Sequence, residues 1–568
     1  MKIQLASLVA VLAFAGCATA PQPAPRPAPE AAPVAPQPAF KPYYKTVAEL
    51  QAALRDGKVT SVELTRDFLQ RIDAIDKHGP QINSVIEINP DALEIATERD
   101  RARALGNAHG PLFGIPVMVK DNIDTRGPMM TTAGSLALVG PPAPQDATVI
   151  AKLRAAGAIL IGKTNLSEWA NFRSSYATSG WSGVGGLTKN PYVLPRNTCG
   201  SSAGSGAAVS AGLVTVALGT ETDGSVICPS SINGIVGIKP TVGLVSRAGI
   251  VPISHSQDTA GPMARTVKGA AAVLTAIAGS DPRDPATAEA DSHATDYTQF
   301  AKPGALKGAR IGMVCALAGF NPHVDEIMNE SAAALRAAGA TVMPVKLPHL
   351  HDYGKAESTV LLYEFKHDIN AYLATRPNLK VHTLADLIAF DKAHADKEMP
   401  WFGQDLFIKA EAKGPLTDLA YRKALEKEKQ LAGPEGIDAA LKAHHLDALM
   451  APATGPAWVS DLVDGDNYGG GGYGPAAVAG YPSITVPAGN VHGLPVGVVF
   501  FAGKWSEPKL IGIGYGFEQA TEARIRPQFD KHAPRAETVP TLAAQQGDAP
   551  SQPVNASPIC GQNNEGSL

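Results

Sequence analysis

Three stretches of the sequence carry residue types that could perform hydrolytic chemistry. The first is Lys120, which follows the apolar, strand-like run 115–119 in "LFGIPVMVKDNID". A lysine held in buried surroundings loses its proton more easily and can then act as a base. A lysine at a strand end can also simply reach water or pair with the neighbouring Asp121. Taken by itself, this position leaves both interpretations open.

The second stretch is "CGSSAGSG", residues 199–206, which leads into the small, apolar run "AAVSAGLVTVALG". A flexible linker would lead into polar sequence, so we expect a loop that enters a buried segment. The motif formally matches a G-x-S-x-G nucleophile elbow with Ser202 as the serine. That elbow requires a strand directly before it, whereas "TKNPYVLPRNTC" is polar and broken by proline. The context therefore disfavours an α/β-hydrolase.

The third stretch is "GTETDGSVICPSSINGIVGIKPT", residues 219–241, in which Ser225 follows Asp223 and Gly224. Glycine allows backbone N–H groups to approach a ligand closely, and consecutive N–H groups in such a turn can bind an oxyanion. A polar turn between two apolar segments is the alternative interpretation.

The elements around these stretches alternate between helix and strand. The segment "TSVELTRDFLQRIDAID" begins with Thr60 and has Glu63 three residues later, which predicts a capped helix. The segment "ATVIAKLRAAGAILIGKTN" predicts a helix, a glycine turn and a buried strand. The same order returns near residues 332–345. This alternation predicts an α/β fold with a largely buried sheet.

Taken together, the three stretches resemble the amidase signature family. The resemblance extends from about residue 45 to residue 540 and rests on ordered motifs: "GIPVMVKDNIDT", "TTAGS", "LIGKTNLSEWA", "CGSSAGSGAAVSAG", "LGTETDGSVICPSSINGIVGIKPT", "DTAGPMARTV", "GYPSITVPAG" and "GLPVGVVFFAG". It implies one large α/β domain, assigned to residues 43–540, with a mixed, twisted central sheet covered by helices on both faces.

The resemblance also implies a Ser–cisSer–Lys triad. In this sequence the nucleophile would be Ser225, the bridging serine after a cis peptide would be Ser201, and the base would be Lys120. Ser202 would support the network, and the segment Thr222, Asp223, Gly224 and Ser225 would supply the oxyanion hole and contact substrate. We expect no metal and no cofactor.

The sequence departs from the family pattern at both serine loops. Asp223 replaces the first of two glycines before the nucleophile, which would place a carboxyl group near the substrate. Ala203 replaces the first glycine after the paired serines. Cys199 and Cys228 flank the two motifs and could be small buried residues or a disulfide.

Several segments look most similar to bacterial peptide amidases, which hydrolyse the C-terminal amide of peptides to acid and ammonia: "NLSEWANFRSS", "TETDGSVICP", "GLVSRAGIVPISHSQDTAGPMA" and "LLYEFKHDINAYL". Fatty-amide or aryl-amide hydrolysis in the same fold stays open, as does the glutaminase subunit of a tRNA-dependent amidotransferase. From another class, a non-catalytic envelope-binding lipoprotein would not need Lys120, Ser201 and Ser225 together. The expected partner is a small amide or peptide-amide substrate.

The charge and cysteine content of the chain exclude some classes of partner and of fold. The net charge is −4 and no long basic tract occurs, so nucleic acid is not an expected partner. Five cysteines are too few for a disulfide framework.

The two ends of the chain differ from its centre. Residues 1–16 resemble a signal peptide, and "FAGC" resembles a lipobox that would lipidate Cys17; cleavage after "ATA" (18–20) is the alternative. Residues 17–42 would then be a lipid anchor and a proline- and alanine-rich tether. Residues 541–568 are predicted to be a disordered tail. The expected location is the periplasm, anchored through Cys17, or soluble after export.

Overall fold

The computed structural model describes residues 40–533 and 559–560. The predicted signal peptide 1–16 and the tether, apart from residues 40–42, lie outside the described residues. So do residues 534–540 and the predicted tail 541–568, apart from Ile559 and Cys560. Within the described residues, no helix is both long enough and apolar enough to cross a membrane.

Thirteen strands occur in the described part of the chain. In chain order they are β1 (Val85–Ile88), β2 (Pro116–Lys120), β3 (Ile159–Thr164), β4 (Trp181–Ser182), β5 (Gly186–Leu187), β6 (Val216–Glu221), β7 (Val236–Lys239), β8 (Thr259–Ala264), β9 (Arg310–Val314), β10 (Thr341–Val345), β11 (Ala448–Pro452), β12 (Ser483–Val491) and β13 (Leu494–Phe501). Eleven of them form one sheet in the order β1-β3-β2-β6-β8-β7-β12-β13-β11-β9-β10, and β4 pairs with β5. Strands β3, β2 and β6 run parallel, as do β11, β9 and β10, whereas β6, β8, β7, β12, β13 and β11 pair antiparallel. The predicted mixed sheet is confirmed.

The α-helices follow the same chain order. They are α1 (Val47–Arg55), α2 (Ser61–Arg71), α3 (Ala92–Ala104), α4 (Thr148–Ala155), α5 (Ala203–Ser210), α6 (Ile227–Ile232), α7 (Val267–Ile277), α8 (Pro322–Ala337), α9 (Gly354–Ala374), α10 (Leu384–Ala393), α11 (Ala395–Glu398), α12 (Asp405–Glu411), α13 (Leu419–Ala432), α14 (Ala439–His444), α15 (Gly474–Ala479) and α16 (Glu507–Thr521). Helix α2 begins after Thr60, whose hydroxyl accepts the Glu63 N–H at 3.1 Å, so the predicted capping box is confirmed.

Helices cover both faces of the sheet, as strand β12 shows. Ile484 and Val486 point toward Gly514 of α16, whereas Thr485 lies beside Gly497 on the side of Ser231, a residue of α6. Successive residues of a strand point to opposite faces, so α6 and α16 pack on opposite sides. The single large α/β domain with a mixed sheet is therefore the observed architecture.

Two adjacent parallel strands set the position of the candidate site. Strands β2 and β6 are in register from Val117 opposite Val216 to Val119 opposite Leu218. Their carboxyl ends therefore reach the same edge of the sheet, where ligands commonly bind in α/β folds. Lys120 ends β2 at this edge, and Thr220 lies near the end of β6.

Candidate active site

Lys120 lies at the centre of a buried hydrogen-bond network. Its side chain is fully buried, and its Nζ lies 2.7 Å from Ser201 Oγ and 2.9 Å from Thr220 Oγ1. The Asn122 amide donates to the same threonine hydroxyl at 3.0 Å. Thr220 is thus fixed between two donors, and it holds the lysine amine against Ser201.

Burial controls the protonation of Lys120. Removal from water lowers the pKa of the amine to about 7, and the charges of Asp258 and Glu221 oppose this shift only in part. A large share of the amine is therefore neutral at neutral pH. The structure thus supplies what a lysine base requires, because a lysine with an ordinary pKa near 10.4 would stay protonated.

The loop 199–206 presents both of its first two serines to this network. The Gly200–Ser201 peptide is cis, and the Ser201 carbonyl accepts the Ser167 N–H at 3.0 Å. The Ser202 hydroxyl donates to the Thr220 carbonyl at 3.1 Å and accepts the Thr220 N–H at 3.2 Å. Because this hydroxyl is used twice by the backbone of β6, Ser202 joins the loop to the strand.

The loop that carries Ser225 is fixed by a buried carboxylate. Glu221 accepts the N–H groups of Val226 and Ile227 at 2.7 and 2.9 Å. The Ser225 carbonyl accepts the Ser202 N–H at 3.2 Å, which joins the two serine loops directly. Ser225 is 7% exposed and lines a cavity.

Gly224 is needed for the shape of this turn. Its φ is +79°, a left-handed conformation that favours glycine, and a Cβ at this position would collide with the Tyr473 ring. In the described part of the chain, the N–H groups of Asp223 and Ser225 donate to no protein acceptor. Such free donors beside Ser225 are able to bind an oxyanion. Thr222 is held separately, because its hydroxyl donates to Asp258 at 2.5 Å.

The cavity in front of Ser225 has a volume of about 290 Å³. The Ser225 loop forms one part of its wall. The aromatic and aliphatic side chains in the wall are Phe172, Ile253, Leu361, Trp458, Tyr468 and Tyr473. A neighbouring cavity of about 370 Å³ shares Ala170, Thr222 and Ile253 with it. Small amides with an apolar acyl part fit such a lining.

A pair of carboxyl groups lies beside the Ser225 loop. The side chain of Asp223 is exposed to the cavity, but the surrounding protein still shields it from bulk water. This shielding and the nearby Glu357 raise the pKa of Asp223 well above its ordinary value, and the two carboxyls share a hydrogen bond. Glu357 also accepts the Gln257 amide at 3.2 Å. Burial raises the pKa of Glu357 as well, so both shifts favour a proton on this pair, and with one shared proton the pair carries one negative charge rather than two.

A disulfide links the two serine loops of the site. Cys199 and Cys228 are bonded, with their Cα atoms 6.0 Å apart, so the sequence alternative of a bridge is the one observed. A second disulfide joins Cys315 to Cys560, with a Cα separation of 5.6 Å. One residue of the predicted tail is therefore linked to the domain.

All seven predicted site residues lie in this one region. Several supporting residues were missed: Thr220, Glu221, Asp258, Gln257 and Glu357. The first four stand inside the motifs quoted above, where a polar residue beside a strand end could have been noticed. Glu357 lies on α9, and nothing local in its sequence marks it. From the same helix, Asp368, Ala371 and Tyr372 line the larger cavity.

Comparisons with known proteins agree with this architecture. The sequence profile described as Amidase matches residues 63–511. A probable amidase of Arabidopsis thaliana is 41% identical over 495 residues, covering 85% of this chain and 91% of the relative. A glutamyl-tRNA(Gln) amidotransferase chain of Pseudomonas syringae is 35% identical, covering 85% of this chain and 98% of the relative.

Solved structures give the same result. The crystal structure of the peptide amidase PAM with the competitive inhibitor chymostatin has 53% sequence identity and a TM-score of 0.84, covering 86% of this chain and all of that chain. An amidase family protein from Bacillus anthracis has 37% identity and a TM-score of 0.78, covering 85% of this chain and 92% of that one. The chain therefore belongs to the amidase signature family and is an amide-hydrolysing enzyme.

Proposed function

We propose that this enzyme hydrolyses the C-terminal amide of peptides to the peptide acid and ammonia, through an acyl-enzyme on Ser225. The observation that carries the proposal is the 2.7 Å contact between Lys120 Nζ and Ser201 Oγ. A serine hydroxyl is a weak nucleophile unless a base takes its proton. In this site the base is a buried lysine whose pKa is lowered to about 7.

The proposed reaction begins with two proton transfers. Neutral Lys120 takes the proton of Ser201, and Ser201 takes the proton of Ser225 as Ser225 Oγ attacks the carboxamide carbon. The N–H groups of Asp223 and Ser225 bind the oxyanion that forms. When the intermediate collapses, the C–N bond breaks and the proton returns through Ser201 to the departing nitrogen, which leaves as ammonia. A water molecule, activated by the same route, then hydrolyses the acyl-enzyme.

Two features of the cavity support a peptide amide as the substrate. Its aromatic and aliphatic walls suit amino-acid side chains and peptide planes. The Asp223–Glu357 pair offers carboxyl oxygens that accept hydrogen bonds from a substrate amide N–H. Its negative charge opposes binding of a free C-terminal carboxylate. The likeness to the peptide amidase PAM, 53% identical over the aligned region, supports the same substrate class.

The test is a release assay on the purified domain. Matched peptide amides, peptide acids, long-chain fatty amides, aryl amides and free glutamine are incubated separately, and ammonia and product mass are measured. We expect turnover of peptide amides, with mass changes confined to the terminal carboxamide. Faster turnover of fatty or aryl amides would overturn the substrate assignment. Selective turnover of glutamine would favour the glutaminase of an amidotransferase.

We also propose that the protein is exported and anchored through Cys17. The motif "FAGC" and the proline-rich segment after it support this proposal. Cys17→Ser in the full chain should either release a soluble form or block processing, as measured by membrane fractionation and intact mass. Unchanged membrane partitioning of the variant would contradict the anchor.

A further inference from the structure

A compact group of metal-ligating side chains lies outside the catalytic network. His255 comes from the loop that follows Ile253, and His367 and Asp368 are neighbours on α9. One ligand atom from each of the three side chains lies within 4.8 Å of the others. Asp368 Oδ1 lies 3.0 Å from Nδ1 of His255 and 2.9 Å from Nδ1 of His367. Two imidazoles therefore approach the same carboxylate oxygen through the same ring nitrogen.

We propose that His255, His367 and Asp368 form a binding site for one divalent transition-metal ion, with Zn²⁺ as the representative ion. Imidazole nitrogen and carboxylate oxygen are ligands that such ions accept. Zinc bonds of 2.0–2.1 Å place tetrahedral ligand atoms about 3.3 Å apart. The present contacts would need to open by only about 0.4 Å, and the ion would replace the protons that now join the rings to Asp368.

The surroundings of His255 match those of a metal ligand. Metal-bound histidines usually direct their second ring nitrogen at a carboxylate or carbonyl, which fixes the ring. The Nε2 of His255 lies 3.4 Å from Glu364 Oε1. Glu364 is itself fixed, because it accepts the Tyr421 hydroxyl at 2.7 Å and the Ser254 hydroxyl at 2.5 Å.

Access and charge also suit a cation. The side chains of His255 and His367 are 43% and 58% exposed, so an ion can reach them from solvent and complete its coordination with water. Asp368 and Glu364 supply negative charge. The nearby positive charge of Arg247 is offset by an ion pair with Asp284, with N–O contacts of 2.5 and 2.8 Å.

A bound ion would affect the structure near the substrate region because of where the site lies. His255 and Asp368 line the larger cavity. The loop that carries His255 also contains Asp258, which accepts the Thr222 hydroxyl beside the Ser225 turn. A bound ion would therefore clamp this loop to α9, next to the substrate region. It would not take part in the hydrolysis, so the inference stands independently of the proposed substrate.

Zinc binding to an untagged, chelator-treated protein tests the proposal. Calorimetric titration with zinc chloride should show one equivalent bound per chain, and the midpoint of thermal unfolding should rise with zinc. His367→Ala should weaken binding by at least about tenfold and abolish the rise. Because His367 is largely exposed, this variant should fold, and circular dichroism checks that it does.

The chain offers a matched control in His349. Its Nδ1 lies 2.9 Å from Asp352, but the neighbouring group is Glu435 rather than a second imidazole. His349→Ala should therefore leave the zinc affinity unchanged. The site would be overturned if His367→Ala and the unaltered protein bound zinc with equal affinity. It would also be overturned if the unaltered protein bound no zinc at millimolar concentration. The three side chains would then be only a hydrogen-bonded His–Asp–His cluster.

Discussion

Cys199 and Cys228 join the two loops of the active site through a disulfide. Cys199 directly precedes the Gly200–Ser201 peptide, and Cys228 lies on the first turn of α6, three residues after Ser225. The bond therefore holds the loop of Ser201, the proposed relay, against the loop of Ser225, the proposed nucleophile. Protein sites that act by proton transfer depend on such positioning, because a displacement of about 1 Å can lower a rate about 100-fold.

Removing the Cys199–Cys228 disulfide should mainly lower the turnover rate and should affect the thermal stability of the fold less. We expect Cys199→Ser/Cys228→Ser to lower kcat by about 10- to 100-fold, with a smaller change in KM. The matched control is Cys315→Ser/Cys560→Ser, which removes the other disulfide and should change kcat little. Steady-state kinetics and thermal unfolding of both variants check this. Equal losses of kcat in the two variants would indicate a general effect on stability.

Ser225, and not Ser202, should be the residue that becomes acylated. Ser225→Ala should abolish hydrolysis and labelling by a fluorophosphonate probe, because the attacking oxygen is removed. Ser202→Ala should still be labelled, since the Ser202 hydroxyl serves the backbone of Thr220. Its melting temperature should fall, because the buried Thr220 groups lose their partner at a cost of about 1–3 kcal/mol. Peptide mapping that places the label on Ser202 would refute the triad.

The pH dependence of hydrolysis should report the protonation of Lys120. The lysine must be neutral to accept a proton, and its pKa is lowered to about 7 by burial. The rate should therefore rise with pH through about 7 and stay high on the alkaline side. Lys120→Ala should lose about 10²- to 10⁴-fold in kcat/KM and lose this rise. A variant with full activity, or a rate that falls above neutral pH, would rule out the lysine base.

Thr220 provides a finer test of the same network. Its hydroxyl accepts from both Lys120 and Asn122, so it orients the amine toward Ser201. Thr220→Val keeps the shape of the side chain but removes this acceptor. The midpoint of the pH–rate profile should shift, and kcat should fall while KM changes less. An unchanged pH–rate profile would mean that the Thr220 hydroxyl does not orient the lysine amine and that the side chain only fills space.

Local sequence determined much of this site, but not all of it. Thr60 and Glu63 specify a helix start by themselves, and the position of Lys120 at the end of a buried strand is readable from "IPVMVK". The contact between Lys120 and Ser201 joins residues 81 positions apart, so only the family resemblance could suggest it. Glu357 comes from a helix far along the chain. Its effect on Asp223 depends on how α9 packs, which no local pattern encodes.

The shared proton of Asp223 and Glu357 should set the preference for amides over acids. With one proton between them, the pair carries one negative charge, which repels a C-terminal carboxylate but not a neutral carboxamide. Asp223→Asn leaves the Glu357 carboxyl, and with it the charge of the pair, in place. Glu357→Gln removes that charge, but burial, the largest cause of the raised Asp223 pKa, remains, so Asp223 should stay protonated and the pair should become neutral. Asp223→Asn should therefore still bind the peptide acid weakly, whereas Glu357→Gln should bind it more tightly.

The double variant, Asp223→Asn/Glu357→Gln, makes the pair neutral whatever the protonation of Asp223. We expect its inhibition by the peptide acid product to become about tenfold tighter than in the unaltered enzyme, which corresponds to about 1.4 kcal/mol. Inhibition constants for matched peptide acids and uncharged peptide analogues check this, and the affinity for the uncharged analogues should change little. Tenfold tighter acid binding in Asp223→Asn would show that Glu357 does not carry the charge of this pair. No gain in the double variant would show that the charge of this pair does not control the selection of amides.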